Sequence, residues 1–368
     1  MNAQPPHPPH RPEWSGGAEW LRGAGPESDI VMSSRVRLAR NLAGAPFVNK
    51  CSREQRQQVL DLVRTQIMSA PITPAMTWID LHRCPPVDRT LLVERHLISQ
   101  QHARGKQSSG AGGSDEPRGV AVSSVDERVS IMVNEEDHIR LQVIRSGLDL
   151  QRTLAEAMAV DDQLESGLDF AFSARFGYLT GCPTNVGTGI RLSVMLHLPG
   201  LRMTGNIEKV KRAAADMTLA VRGFYGEGSE AAGDLYQISN QTTLGKSEAV
   251  LMQELEQQII PKVIEYERAA RRTMVTKRRA DLEDQVFRAL GTLTHARLMS
   301  TEESMQLLSM VRLGLVCGVL SKPDLIMVNH LLLLTQPAHL QRAAGRELDQ
   351  DQRRMVRADF LRSRLVGK

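Results

Sequence analysis

The sequence predicts a mixed α+β domain followed by a mainly helical one. Three observations carry this reading. Alternating, strand-like segments recur up to about residue 240 and then stop. Helical apolar stripes run through the whole chain, and beyond Thr273 they are almost all that remains. No internal repeat is visible.

Residues 1–28 are read as a disordered tail, because the first dozen are rich in Pro and His and lack the apolar core of a secretory signal. Val31 to Leu42 is the first informative segment. Ser52 caps an amphipathic helix carrying Val59, Leu60, Val63 and Ile67 on one face. Residues 105–119 turn to Gly, Ser and charge and read as a loop. Strands are expected over 119–124 and 129–134, with Asp126-Glu127 in the turn, and a helix over 149–164. Alternation predicts further strands at 169–176 and 191–198. Asn206 is the expected N-cap of a helix with Ile207, Val210, Ala214, Met217 and Val221 in one stripe. A short strand at 235–239 precedes a long helix from Ser247 to about Arg272. Four helices then follow, at 281–298, 301–313, 323–334 and 349–365.

Composition narrows the function classes. With 41% hydrophobic and 24% charged residues in 368, the chain has the make-up of an ordinary globular protein. No apolar run approaches the roughly 18 residues needed to cross a bilayer, so no membrane span is expected. The net charge of +4 comes from scattered basic residues, and aromatics are only 4%, which argues against a nucleic-acid partner. Arg outnumbers Lys by roughly four to one, a bias suited to bidentate phosphate recognition. Cys51, Cys84, Cys182 and Cys317 are far apart, with no CxxC spacing. That fits a reducing, cytoplasmic setting and offers no metal site.

Four clusters could carry chemistry. Ser33 to Arg40 contains Arg35 and Arg37 two apart, so on an extended segment both point to one side. Asn134-Glu135-Glu136-Asp137-His138, followed by Arg140, ends a strand-like run that would aim its side chains. Gly181-Cys182-Pro183-Thr184-Asn185-Val186-Gly187-Thr188-Gly189 leads to Arg191 and suits a loop packed against a ligand or another backbone. The fourth runs from Arg222 to Ser229. Two decoys fail: the glycines at 226–231 follow no convincing strand, and Gly245-Lys246-Ser247 has Asn240 where a P-loop needs its first glycine.

In this order, and joined by Asp234 to Glu248, these segments resemble the phosphagen (ATP:guanidino) kinase family over about 31–272. The resemblance implies an α+β catalytic domain over 29–272, an antiparallel sheet flanked by helices, with a C-terminal mainly helical domain over 273–368. It implies ATP and Mg²⁺ as cofactors. It assigns nucleotide contacts to Ser34, Arg35, Val36, Arg37 and Leu38; to His96 and Arg140; to Arg191, Leu192, Ser193, Val194 and Met195; and to Arg222, Gly223, Phe224, Tyr225, Gly226 and Glu227. Glu136 matches the family's principal catalytic carboxylate, Glu227 a second one, and Cys182 a residue that tunes the acceptor's surroundings. No resident metal site is implied.

Small-guanidine kinases carry a helical domain of about a hundred residues before the first arginine pair; here that pair arrives at Arg35. The short start and the extra helical region resemble the bacterial protein arginine kinases. Substrates would then be proteins with an accessible arginine, and partners a zinc-binding activator and a Clp-type unfoldase, with a homodimer or larger assembly. That subgroup has an RDxxRA motif forming a phosphoarginine pocket. The nearest match is Arg353, Arg354, Arg357 and Ala358, with Arg354 in the acid's place. Two other readings stay open: a kinase for free arginine or another small guanidine, and a non-catalytic phosphoarginine-binding adaptor.

Overall fold

The computed structural model describes residues 17–105, 116–217, 219–224 and 232–366. Its centre is an eight-stranded antiparallel sheet. In chain order the strands are β1 (Val31–Arg40), β2 (Met76–Asp80), β3 (Gly119–Ser123), β4 (Val129–Val133) and β5 (Ile139–Ser146). Then come β6 (Phe172–Ser173) and β7 (Gly177–Tyr178), which form a separate hairpin, followed by β8 (Ile190–His197), β9 (Leu219–Arg222) and β10 (Leu235–Asn240). Across the large sheet the order is β2-β3-β4-β5-β1-β8-β10-β9, which places β1 in the middle.

The two faces differ in chemistry because side chains alternate along a strand. One face presents Val36, Leu38, Leu141, Val143, Leu192, Val194 and Ile238, each 0–1% exposed. It is covered by α1 (Arg53–Ser69), α4 (Leu150–Glu165), α5 (Pro199–Met203), α6 (Ile207–Asp216), α7 (Glu248–Met252) and α8 (Ile260–Lys277), a π-helical stretch joining the last two. Ser52 caps α1 in a full capping box with Gln55. The opposite face has three zones. Val120, Val122 and Met132 lie under the segment of α2 (Pro86–Glu94) and α3 (Gln100–Arg104). Ile144, Met195 and Leu235 lie under α9 (Arg279–His295), α10 (Thr301–Val316), α11 (Leu325–Leu334) and α13 (Gln350–Leu365). Between them lies a polar zone that none of the described elements covers. Helix α12 (Pro337–Ala344) reaches back to α2, where Glu94 accepts hydrogen bonds from Ala338 N and His339 N and lies 2.7 Å from His339 Nδ1.

Several expectations need correction. Residues 17–28 do not form a tail: Ala18, Trp20 and Leu21 are at most 2% exposed and belong to the core of the C-terminal helices. The expected strand over 169–176 is a tight hairpin, because the chain reverses between Ser173 and Gly177. Met217 is 45% exposed and Val221 belongs to β9, so the stripe from Ile207 ends at Ala214. Asn206 makes no side-chain cap; its amide donates to Thr204 instead. The boundary drawn after 272 falls inside α8, which runs to Lys277.

Candidate active site

This polar zone is the floor of a cavity of about 870 Å³. Strand register explains its composition. Arg37 lies opposite Arg191 on β8 and Gln142 on β5; Arg140 lies opposite Ala39; Arg222 lies opposite Gln237, itself opposite Met195. Directly paired residues in an antiparallel sheet point the same way. Arg35, Arg37, Arg140, Arg191 and Arg222 therefore share one face and all line the cavity.

Arg35 is anchored by neutral acceptors: its Nη2 donates to Gln237 Oε1 at 2.6 Å and its Nε to Ser193 Oγ at 3.3 Å. Burial, reinforced by Arg191 and Arg222, pulls its pKa down to about 10. Arg37 is pushed well below its ordinary value by burial and by Arg35, Arg140 and Arg191, and its Nε has no hydrogen-bond partner. Arg35, buried beside like charges and bonded to neutral acceptors, is suited to bind an anion. His96, also in the cavity wall, is held neutral by burial and Arg35, with its pKa near 3.

An acidic turn faces this floor. Asn134 takes the left-handed φ of 61° that Asn tolerates, and its amide donates to Arg56 O and Pro117 O. Asp137 turns inward, accepting from Asn41 Nδ2 at 2.7 Å and Gly181 N at 2.6 Å. It thereby fastens the turn to the Cys182 loop. At Gly181 an added Cβ would lie 2.9 Å from Glu136 O, so the close approach requires glycine. His138 staples the rear, its Nδ1 accepting from Leu42 N. That leaves Glu135 and Glu136 facing the cavity, each 2.7 Å from Arg140. Burial alone would lower the Arg140 pKa, but Glu135, Asp137 and Glu136 raise it above the ordinary value. Cys182 lines the same cavity, half-buried, its Sγ 3.1 Å from Thr184 Oγ1.

The cavity thus gathers Arg35, Arg37, His96, Arg140, Arg191, Arg222, Glu136 and Cys182. Other assignments change. The side chains of Val36, Leu38, Leu192 and Val194 point into the opposite core, although Leu38 also borders the cavity, and the Ser34 hydroxyl donates to Gly147 O. Alternation leaves only Arg35 and Arg37 of 34–38 with side chains on the floor. Ser193 faces the floor, while Met195 lies in its apolar margin. Gly223 and Phe224 are buried, Phe224 against His96. Tyr225, Gly226 and Glu227 lie outside the described residues.

In the C-terminal helices, Arg357 is buried and donates to Thr335 O, Met299 O and Thr301 Oγ1, and Ala358 is a core residue. Both are structural. Arg353 donates to Leu348 O and Arg354 pairs with Asp351.

Sequence reasoning passed over Gln142 and Gln237, and included Glu135 only as a member of the acidic cluster. The two glutamines share the arginines' alternation, and that was the available signal. Among the described residues no three His, Cys, Asp or Glu side chains are grouped to hold a metal ion.

A family model described as the C-terminal catalytic domain of ATP:guanido phosphotransferase matches residues 58–270. The chain belongs to the ATP:guanido phosphotransferase family. A second model, described as the protein-arginine kinase McsB C-terminal domain, matches residues 279–368 of this guanidino phosphotransferase. Among curated relatives, the protein-arginine kinase of Symbiobacterium thermophilum is 46% identical over 95% of this chain and 96% of its own length. That of Halothermothrix orenii is 43% identical over 95% and 96%. Two solved family structures share the fold. A duplicated taurocyamine kinase from Schistosoma mansoni, with bound transition-state analogue components, gives a TM-score of 0.58 at 26% identity. The match covers 69% of this chain and 34% of that duplicated one. Lombricine kinase gives 0.54 at 27% identity, covering 70% and 73%.

Proposed function

We propose that this guanidino phosphotransferase is a protein-arginine kinase, moving the γ-phosphoryl group of Mg·ATP to arginine side chains of proteins. The observation that carries the reading is the meeting, in one cavity, of five sheet-borne arginines with an acidic turn. Relatives bearing the protein-arginine kinase name over nearly the full chain support the choice of acceptor.

Phosphoryl transfer needs alignment and charge neutralisation more than covalent help. Arg35, Arg37, Arg191 and Arg222 hold the triphosphate, and Mg²⁺ arrives with the nucleotide. A guanidinium with a pKa above about 12 is a poor nucleophile until a carboxylate orients it and takes a proton. Glu136, partly exposed on the acidic turn, fills that role. Its 2.7 Å contact with Arg140 already displays the grip it would exert on an acceptor guanidinium. As the N–P bond forms, the bond from Pγ to the ADP oxygen breaks and the proton passes to the carboxylate. Cys182 tunes the acceptor side, and Glu227 joins Glu136 as the second carboxylate.

From the family resemblance alone come the remaining parts of this reading. They are a self-associating cytoplasmic enzyme with a regulatory region over 273–368, a zinc-binding activator, and marked proteins passed to a Clp-type unfoldase.

The test is mass spectrometry under conditions that preserve N–P bonds, after incubating a model protein or free arginine with Mg·ATP. Phosphoarginine should appear in the protein. In Glu136→Gln, yield should fall by about 10²- to 10⁴-fold while Mg·ADP still binds. Phosphorylation of free arginine only would reject the protein acceptor, and full activity in the variant would reject the assignment of Glu136.

A further inference from the structure

Trp20 lies on the 3-10 turn Glu19–Leu21, ahead of the matched catalytic segment, and is 2% exposed. Its indole meets His96 edge-on at 5.0 Å and Phe224 at 5.8 Å, while His96 and Phe224 meet each other at 4.8 Å. Each partner leads into the arginine floor. The His96 carbonyl accepts from Gln142 Nε2 at 2.7 Å, and the Gln142 oxygen lies 3.5 Å from Arg35 Nη1. Phe224 follows Arg222 by two residues at the end of β9. Trp20, Arg35, His96, Ser193 and Gln237 also line one small void beneath the floor. His96 itself has φ of 60°, in the left-handed region that few non-glycine residues occupy.

The turn that carries Trp20 is tied down from two sides. Glu19 N donates to Asp126 O at 3.2 Å, beside β4. Asn329 Nδ2 of α11 donates to Leu21 O, and Arg312 of α10 donates to Ser28 O and Asp29 O. The indole is therefore a fixed wedge, seated on the C-terminal helices and packed against the two residues that lead to Arg35 and Arg222.

We infer that Trp20 is a positioning residue for the nucleotide's polyphosphate, acting through His96 on Arg35 and through Phe224 on Arg222. The inference deepens the kinase reading and rests on it for its kinetic arm alone. Truncating the indole frees His96 to relax its backbone and loosens the end of β9, so the arginines no longer converge before nucleotide arrives.

A binding assay separates this from the kinase reading. In a Trp14→Phe/Trp78→Phe background, Trp20 is the one remaining tryptophan. Its emission should change saturably on titration with Mg·ADP, and no change at saturating Mg·ADP, with binding verified by calorimetry, would overturn the inference. Kinetically, Trp20→Ala should raise KM for Mg·ATP about tenfold, with Trp20→Phe recovering most of the loss. Leu308→Ala, in the same helical core but away from the cavity, should lower thermal stability and leave KM unchanged. Equal KM values for Trp20→Ala and Leu308→Ala would reduce Trp20 to a core residue. If the emission responds but no variant or parent makes phosphoarginine, the kinase reading fails and the positioning role stands.

Discussion

Arg37→Met tests the arginine floor where its physics is sharpest. Arg37 is buried among Arg35, Arg140 and Arg191, its Nε unpartnered, and methionine keeps most of the aliphatic stem while removing the charge. The neighbouring Arg35 sets the scale. Its pKa falls from 12.5 to about 10, and that difference of about 2.5 corresponds to about 3.4 kcal/mol at 1.36 kcal/mol per pH unit. Arg37 carries three like-charged neighbours, partly offset by Glu135. Removing its charge should therefore raise nucleotide-free stability by about 1–3 kcal/mol. The same change deletes a charge-assisted contact to phosphate, about 1.5–3 kcal/mol, or roughly 10- to 150-fold in Mg·ADP affinity. Urea denaturation with and without Mg·ADP reads both effects together. A variant less stable than wild type without nucleotide, yet equally stabilised by Mg·ADP, would refute the view that burial and mutual repulsion of the arginines cost stability which the nucleotide restores.

Two further outcomes follow from buried groups. Glu94→Ala removes the acceptor for Ala338 N and His339 N and leaves His339 and Arg95 buried beside each other. Urea denaturation should show a loss of about 3 kcal/mol, and a loss below about 1 kcal/mol would contradict the junction. Acid should also destabilise the fold. Burial lowers the pKa of both His102 and His138 to about 4, below the 6.5 of an exposed histidine. Unfolding then takes up protons, so their stabilisation is present above pH 6.5 and is lost as pH falls toward 4. Each histidine should account for about 2 kcal/mol lost by pH 5, offset in part by Asp137 and Glu267, whose carboxyl pKa values burial raises. Equal unfolding free energies at pH 7 and pH 5 would count against this.

What was legible in the sequence was local or came as a whole motif. The alternation of Arg35 and Arg37 gave the direction of the floor, and Ser52 gave the start of α1. The resemblance then extended nucleotide contact to all of 34–38, where alternation allows only the two arginine side chains to face the floor. Phe170, Phe172 and Phe176 mimic a strand's periodicity, but the reversal at 174–176 is set by pairing with Gly177 and Tyr178. The burial of Trp20 and Leu21 was hidden for a different reason. Their cover comes from helices some three hundred residues later, and three residues are too few to show a period. The acidic turn was visible as a cluster, yet only tertiary contacts reveal that Asp137 and His138 serve as fasteners while Glu135 and Glu136 line the cavity against Arg140.

Because Ile144, Met195 and Leu235 share a sheet face with the arginines, the lid over the apolar margin and the wall of the arginine-lined cavity are one continuous surface. A fragment severed after Lys277 would bare that margin to water and strip the seat from beneath the indole of Trp20. Catalytic and C-terminal parts in this chain are consequently not modules that can be exchanged at a linker. Any swap between relatives has to carry the 17–28 segment along with the terminal helices, as a matched set.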